Sequence, residues 1–281
     1  MRHYKEFLIT AEPFNSDVLS SLLWELDIDG INEDVNCLKV FIQEESPIQK
    51  TDIEALLEKL KAEKMLFNYY VEESLQEYRN WNKEWEDNLN IIQVTDNIVI
   101  KPTTKEYTPK GNEMVITIDP KMSFGTGEHQ TTKLMLTMVE KYIKPNMTVL
   151  DAGTGTGVLV IAASKLGASY SLGFDIDEWC FENGNENVKL NNVEHNVEIR
   201  QAEIKDIEKK EFDLVLANIQ KNILLEIVTD LKIRLKDNGY LVLSGLLFND
   251  ENDIVKKYAE YGLKLTDKQQ LDDWISLVFT K

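Results

Sequence analysis

The 281-residue sequence is short of cysteine, of basic charge and of long apolar runs, and each shortage removes a class of protein. The two cysteines, Cys37 and Cys180, stand far apart and fit no metal-ligand spacing. A reduced, cytoplasmic protein is the simplest expectation. No apolar run approaches the roughly 18 residues needed to cross a bilayer. Residues 1–12 are charged and alternating, without the unbroken apolar stretch of a secretion signal. Lys and Arg number 31 against 49 Asp and Glu, a formal charge of −18. Nucleic-acid binding leans on clustered cations, because phosphate contacts supply most of the affinity. No Lys/Arg-rich stretch of that size is present, and no Pro-Pro pair occurs anywhere. The acid excess suits a basic partner such as a lysine-rich protein segment, or serves solubility alone.

The remaining composition is that of an ordinary globular protein, with 43% hydrophobic and 28% charged residues. The length suits a large domain with a small one beside it. Residues 1–75 read as a small α/β unit. Strands are expected over 4–11, 30–33, 37–43 and 67–71. Helices are expected over 16–26, capped by Ser16 or Asp17, and from a Thr51 cap with Ile53, Leu56, Leu57 and Leu60 on one face. The order β-α-β-β-α-β matches a ferredoxin-like split βαβ. Residues 76–92 form a polar stretch, read as a linker helix, with Trp81 and Trp85 four apart on one face. They dock on a neighbour or form a substrate-facing platform. Residues 93–281 make up the larger domain. After short strand-like runs, helix and strand alternate strictly from about residue 130, ending in strands at 263–266 and 275–279. The strands are short apolar runs, as in a parallel sheet covered on both faces. The fold class expected is α/β, a Rossmann-like seven-stranded domain behind a small ferredoxin-like α+β domain.

The strongest local signal is Asp151-Ala-Gly153-Thr-Gly155-Thr-Gly157, between the strand expected at 148–151 and the helix expected at 158–166. Glycines suit a backbone that turns sharply against a ligand. The dinucleotide fingerprint G-x-G-x-x-G fails here, because Val158 and Val160 occupy the third glycine positions. A zwitterionic amino-acid moiety without phosphate suits such a loop, with Asp151 serving the ammonium end. That points to S-adenosylmethionine. Asp175 ends the next strand, where a carboxylate accepts both hydroxyls of a ribose. Ile176 and Trp179 follow it, near adenine, although Trp179 reads equally well as core. Asn218 ends the strand 212–217 at the carboxyl edge of the sheet, the usual ligand crevice. Its amide either caps the strand or accepts a hydrogen bond from an amine nucleophile. Upstream, Phe124-Gly-Thr-Gly-Glu-His-Gln-Thr-Thr132 reads as a glycine turn into a capped helix, yet it is too dense in unusual residues to be that alone.

These pieces together resemble the ribosomal protein L11 methyltransferase family. The residues that carry the resemblance are 122–132, Asp151-Ala-Gly-Thr-Gly-Thr-Gly157, Asp175-Ile-Asp177 and Ala217-Asn-Ile219. It covers nearly the whole chain, and the upstream run is its most diagnostic part. The resemblance implies methylation of amino groups of L11, the N-terminal α-amine and certain lysines, with S-adenosylmethionine as donor. It implies that residues 1–75 bind L11 and that Thr132, Gly153, Asp175 and Asn218 line the cofactor site. Gly155, Asp151 and Ile176 complete the expected cofactor set, and Asn218 is the candidate catalytic residue. Two departures stand out. Thr154 replaces a common Cys, and Gln220-Lys221 replaces a usual Leu-Ala. A positive Lys221 beside an amine acceptor is unfavourable unless it points away. The alternative acceptor is another protein or nucleic acid. Base-amine methyltransferases usually carry Asn or Asp followed by Pro-Pro and an aromatic, and Asn218-Ile-Gln-Lys221 lacks that clamp. A non-catalytic S-adenosylmethionine-binding module is a further alternative.

Overall fold

Period-two alternation builds the first sheet. In β1 (His3–Glu12) Phe7 and Ile9 point inward, and in β3 (Cys37–Gln43) Leu38, Val40 and Ile42 do the same. With β2 (Gly30–Asp34) and β4 (Asn68–Glu77) they form a four-stranded sheet of order β2-β3-β1-β4, in which all pairs are antiparallel. This is the ferredoxin-like order. Helices α1 (Ser16–Leu23) and α2 (Lys50–Ala62) supply Leu19, Leu23, Ile53, Leu57 and Leu60 to its core. The computed structural model describes residues 3–24, 26–77, 89–121, 123–207 and 211–281. The chain divides into two compact units, Met1–Glu84 and Trp85–Lys281.

Three local expectations need correction. The cap of α1 is Asn15, not Ser16 or Asp17. Asn15 holds extended backbone and its side chain accepts from Val18 N at 3.2 Å. Helix α2 starts two residues earlier than a Thr51 cap allows, because Asp52 reaches back to accept from Gln49 N at 2.7 Å. Strand β4 runs six residues past the expected end, since it pairs with β1 along its whole length. The linker helix expected over 76–92, with Trp81 and Trp85, falls mainly on 78–88, outside the described residues.

The second unit opens with a three-stranded sheet of β5 (Ile92–Gln93), β6 (Ile98–Lys101) and β7 (Met114–Thr117). Helix α3 (Gln130–Tyr142) follows, and then the alternation. Its members are β8 (Thr148–Ala152), α4 (Val158–Lys165), β9 (Tyr170–Asp175), α5 (Glu178–Leu190), β10 (Val197–Gln201) and β11 (Phe212–Asn218). The expected helix over 222–235 is two short ones, α6 (Lys221–Glu226) and α7 (Val228–Ile233), because Ile227 leaves helical geometry. Strand β12 (Leu235–Leu247) takes up the chain directly, as Leu235 already pairs with Phe212. Helix α8 (Glu251–Glu260) and the hairpin β13 (Lys264–Leu271) and β14 (Trp274–Thr280) complete the unit.

The seven-stranded sheet has the order β10-β9-β8-β11-β12-β14-β13. Its first five members are parallel, and β14 runs antiparallel to β12. Alternate residues feed two separate cores. Val149, Leu214, Leu216 and Val242 meet α3 and α4 on one face, while Leu150, Val215, Ala217, Leu241 and Leu243 meet the helices α6, α7 and α8 on the other. Burial on both faces explains why these strands read as continuous apolar runs. Polar side chains gather at the strand ends instead, and at the carboxyl edge these are Asp175 and Asn218.

Candidate active site

The loop after β8 is held from three sides. Gly153 and Gly155 have φ of 73° and 52°, a region that side chains with a Cβ rarely adopt. A Cβ on Gly153 would lie 2.5 Å from Ile219 Cγ2, and one on Gly155 would run into the Phe124 carbonyl. The loop therefore passes between the upstream run and the segment after Asn218. Hydrogen bonds fix it there. Thr156 N donates to Phe124 O at 3.0 Å, and Thr156 Oγ1 donates to Gly125 O at 2.9 Å. The unusual upstream run is thus a second layer built onto the loop. From behind, Asn187 Nδ2 donates to Thr156 O at 3.0 Å while its Oδ1 accepts from Asp119 N at 3.0 Å. Asn183 and Asn191, four residues to either side on the same helical stripe, bond to the backbone of Asp119 and Thr117.

Asp175 ends β9 with both carboxylate oxygens engaged. Oδ2 accepts from Gly155 N at 3.0 Å and Oδ1 from Asp177 N at 3.2 Å. The carboxylate is fixed before any ligand arrives, and each oxygen keeps a lone pair for a further donor. Asp151, by contrast, is wholly buried beneath the loop. Its Oδ2 accepts from Thr154 Oγ1 at 2.7 Å, and Oδ1 has no partner. Burial, and then the nearby charge of Asp175, push its pKa up to about 7 against the pull of the Thr154 hydroxyl. Asn218 Oδ1 and Thr132 Oγ1 are likewise buried without a hydrogen-bond partner. Unsatisfied polar atoms carry a cost unless something else meets them.

These groups surround a cleft of about 880 Å³ along the carboxyl edge. Of the residues expected in the site, Gly153, Gly155, Asp175, Ile176 and Asn218 line it. Thr132 and Asp151 stand behind the wall, where their neighbours Thr131 and Ala152 face the cavity. Trp179 is neither core nor wall: it is 69% exposed and off the lining. Sequence reasoning missed the far wall, where the rings of Phe124, His129 and Trp274 meet. His129 lies 5.3 Å from Phe124 and 4.8 Å from Trp274 between ring centres, edge-on to each. It caps α3, with Nδ1 accepting from Thr131 N at 3.2 Å. Burial lowers its pKa, which disfavours the charged ring. The helix-start motif flagged His129 and Phe124. Trp274 carried no motif, sitting one residue before the strand expected at 275–279.

The lining holds two carboxylates, Asp175 and Glu203, and neither Lys nor Arg. Lys221 is drawn away from it. Its ammonium pairs with Asp253 at 2.6 Å and Asp250 at 2.9 Å, which raises its pKa. The departure at position 221 thus leaves no cation aimed at an acceptor.

A family model described as "Ribosomal protein L11 methyltransferase (PrmA)" matches residues 20–281. The chain belongs to the ribosomal protein L11 methyltransferase family. Among proteins of that name, the chain is 39% identical over 214 residues to the one from Caldanaerobacter subterraneus subsp. tengcongensis, covering 76% of this chain and 69% of that protein. It is 36% identical over 199 residues to the one from Clostridium perfringens, covering 71% and 63%. The chain thus spans about two thirds of the length of these relatives. A solved structure of ribosomal protein L11 methylase from Lactobacillus delbrueckii subsp. bulgaricus superposes with a TM-score of 0.64 at 32% identity, over 68% of this chain and 98% of that one.

The methyl donor that L11 methyltransferases use is S-adenosylmethionine, and the cleft fits it. Its volume suits a nucleoside joined to an amino acid. Gly153 and Gly155 line the cleft without side chains and Asp175 presents a fixed carboxylate, while behind the wall Asp151 keeps one buried oxygen without a partner. No helix among the described residues is long and apolar enough to cross a membrane.

Proposed function

We propose that this chain is a cytoplasmic protein N-methyltransferase that moves methyl groups from S-adenosylmethionine to amino groups of ribosomal protein L11, both lysine side chains and the N-terminal α-amine. The observation that carries this reading is the join between the diagnostic run 124–132 and the cofactor loop through Thr156, with the unpartnered amide of Asn218 on the same cleft. When bound, the donor supplies a methyl group activated by its sulfonium centre. Asp175 accepts the ribose hydroxyls, Ile176 packs at the base, and Gly153 and Gly155 give the backbone close approach. Asp151 meets the ammonium end of the donor, directly or through water. Thr132, with its buried hydroxyl free of any partner, belongs to the same cofactor set.

Asn218 orients the acceptor amine. A free lysine has a pKa near 10.4, so its nitrogen must lose a proton before it can attack. A desolvated wall lowers that cost, because burial disfavours the ammonium form. No strong base is required, since alignment of nitrogen, methyl and sulfur supplies most of the acceleration. Residues 1–75 take the protein substrate. They carry 16 Asp and Glu against 7 Lys and Arg, a complement to a basic partner. The absence of Lys and Arg from the lining argues against nucleic acid as the acceptor. The test is transfer from labelled S-adenosylmethionine to purified L11, with mass mapping of the product. Label on L11 amines supports the reading. Donor binding without any transfer to L11 overturns it.

A further inference from the structure

The order of strands along the carboxyl edge sorts the cleft into two ends. Asn218 ends β11, the middle strand of the stretch β9-β8-β11-β12-β14. Asp175 ends β9, two strands to one side. Trp274 begins β14, two strands to the other side, and because β14 runs antiparallel its first residue lies at the same edge. At the usual strand spacing each lies about 10 Å across the sheet from Asn218. If the donor's ribose sits at Asp175 and its methyl near Asn218, the acceptor enters from the end that holds Trp274.

That end has the chemistry of a cation-receiving wall. Three rings line it, those of Phe124, His129 and Trp274. Asp272 and Asp273 directly precede Trp274 in the exposed turn of the closing hairpin. The one lysine on the segment that follows Asn218 is held by Asp250 and Asp253. Burial lowers the pKa of the imidazole, which disfavours a positive charge on that ring. The ring faces of Trp, and less so Tyr and Phe, attract alkylammonium groups.

We infer that Trp274, flanked by Phe124 and His129, forms the subsite that receives the alkylammonium arm of the acceptor on its way to Asn218. The arm arrives charged and is held at the rings. Its nitrogen sheds the proton to solvent as it advances to Asn218. Trp274 is thus a specificity-determining residue, selecting a positively charged aliphatic arm over a neutral one. This rests on reading the cleft as a methyl-transfer site, and the experiment separates the two.

Saturation-transfer NMR of the S-adenosylhomocysteine-loaded protein, with tetramethylammonium as probe and tert-butanol as its neutral counterpart, reads the subsite without any turnover. The wild-type protein is expected to saturate the cation and leave the alcohol weak. Trp274→Phe should retain that preference and Trp274→Leu should lose it. In steady-state methylation of L11, Trp274→Leu should raise the acceptor KM roughly 10-fold, within the range of a desolvated ring–cation contact. Its kcat and its affinity for S-adenosylmethionine should stay near wild type, and Trp274→Phe should fall between. Equal saturation of both probes by the wild type overturns the inference, whether or not L11 is methylated. So does a preference that survives in Trp274→Leu. A preference present in wild type with no transfer to L11 would sink the substrate reading and leave the cation subsite standing.

Discussion

Asp151→Asn is the sharpest test of how the cofactor loop is built. In the cofactor-free protein Asp151 is fully buried, with one oxygen bonded to Thr154 and the other bare. Its pKa rises from 3.8 to about 7. An acid with a raised folded pKa holds its proton in the native state while the unfolded chain gives it up. Stability is therefore full below about pH 4, falls as pH rises, and is lowest once pH passes the folded value near 7. The gap corresponds to a ceiling of about 4 kcal/mol. Asn keeps an acceptor for the Thr154 hydroxyl and never charges. Its advantage over wild type should grow by roughly 2–3 kcal/mol between pH 5 and pH 7 and stay level above, at 1.36 kcal/mol per pH unit. In thermal melts this is several degrees, at about 2–4 °C per kcal/mol for a chain of this size. Urea melts at pH 5, 6, 7 and 8 without cofactor give the free energies directly. With saturating S-adenosylmethionine the order should reverse, because the variant has lost the partner of the ammonium. An advantage equal at pH 5 and pH 8 would refute the reasoning, since a pH-independent gain cannot come from a buried charge.

Gly153→Val should abolish S-adenosylmethionine binding while preserving most of the circular dichroism signal, because even a Cβ would meet Ile219 at 2.5 Å; normal binding by calorimetry would show that the loop is not the cofactor loop. Asp175→Asn should weaken the donor by about 1.5–3 kcal/mol, the range for hydrogen bonds to a charged group, and unchanged affinity in a folded variant would remove Asp175 from the ribose. Asn218→Ala should cut single-turnover methylation of L11 roughly 10–1000-fold at saturating donor, as expected for one lost positioning contact, with donor affinity nearly intact; a wild-type rate would make Asn218 a strand cap. Asn187→Leu strands Asp119 N and Thr156 O, both bonded to it now, at about 1–3 kcal/mol each, so its urea midpoint should fall and donor affinity should fall with it; an unchanged midpoint would deny the asparagine stripe its bracing role.

Much of this was legible because the sequence speaks locally where the fold does. The parallel sheet announced itself through short apolar runs, since both of its faces are buried. Gly153, Gly155, Asp175 and Asn218 were legible as lining of the cleft because they sit at or just past the carboxyl ends of strands, where a doubly wound sheet opens its crevice. The helix caps at Asn15 and Gln49 were misplaced by one or two residues because several neighbouring side chains were able to cap, and only backbone geometry chooses among them. Asp151 and Thr132 were expected as wall and are found behind it, a distinction of one residue that no periodicity encodes. Trp274 was invisible for a different reason. Its role depends on β14 being inserted between β12 and β13, and that order is a property of topology with no local signature.

The two departures from the family pattern acquire physical meaning in this setting. At 221, a lysine would oppose an incoming ammonium, yet Asp250, the cap of α8, and Asp253 within it both pair with Lys221, which is absent from the cleft lining. The substitution and its acidic partners work as a set. At 154, a hydroxyl stands where cysteine is common. A hydroxyl donates a strong hydrogen bond to a carboxylate and a thiol only a weak one. Thr154 is the group that pulls the Asp151 pKa down against burial and the charge of Asp175. With a weaker donor the buried carboxyl would be harder still to ionise, and a protonated Asp151 has no charge to offer an ammonium. Thr154 also fills the space beside Gly173, where a Cβ would lie 2.6 Å from its hydroxyl oxygen. One residue thus couples the strand behind the loop to the charge state of the loop's first carboxylate.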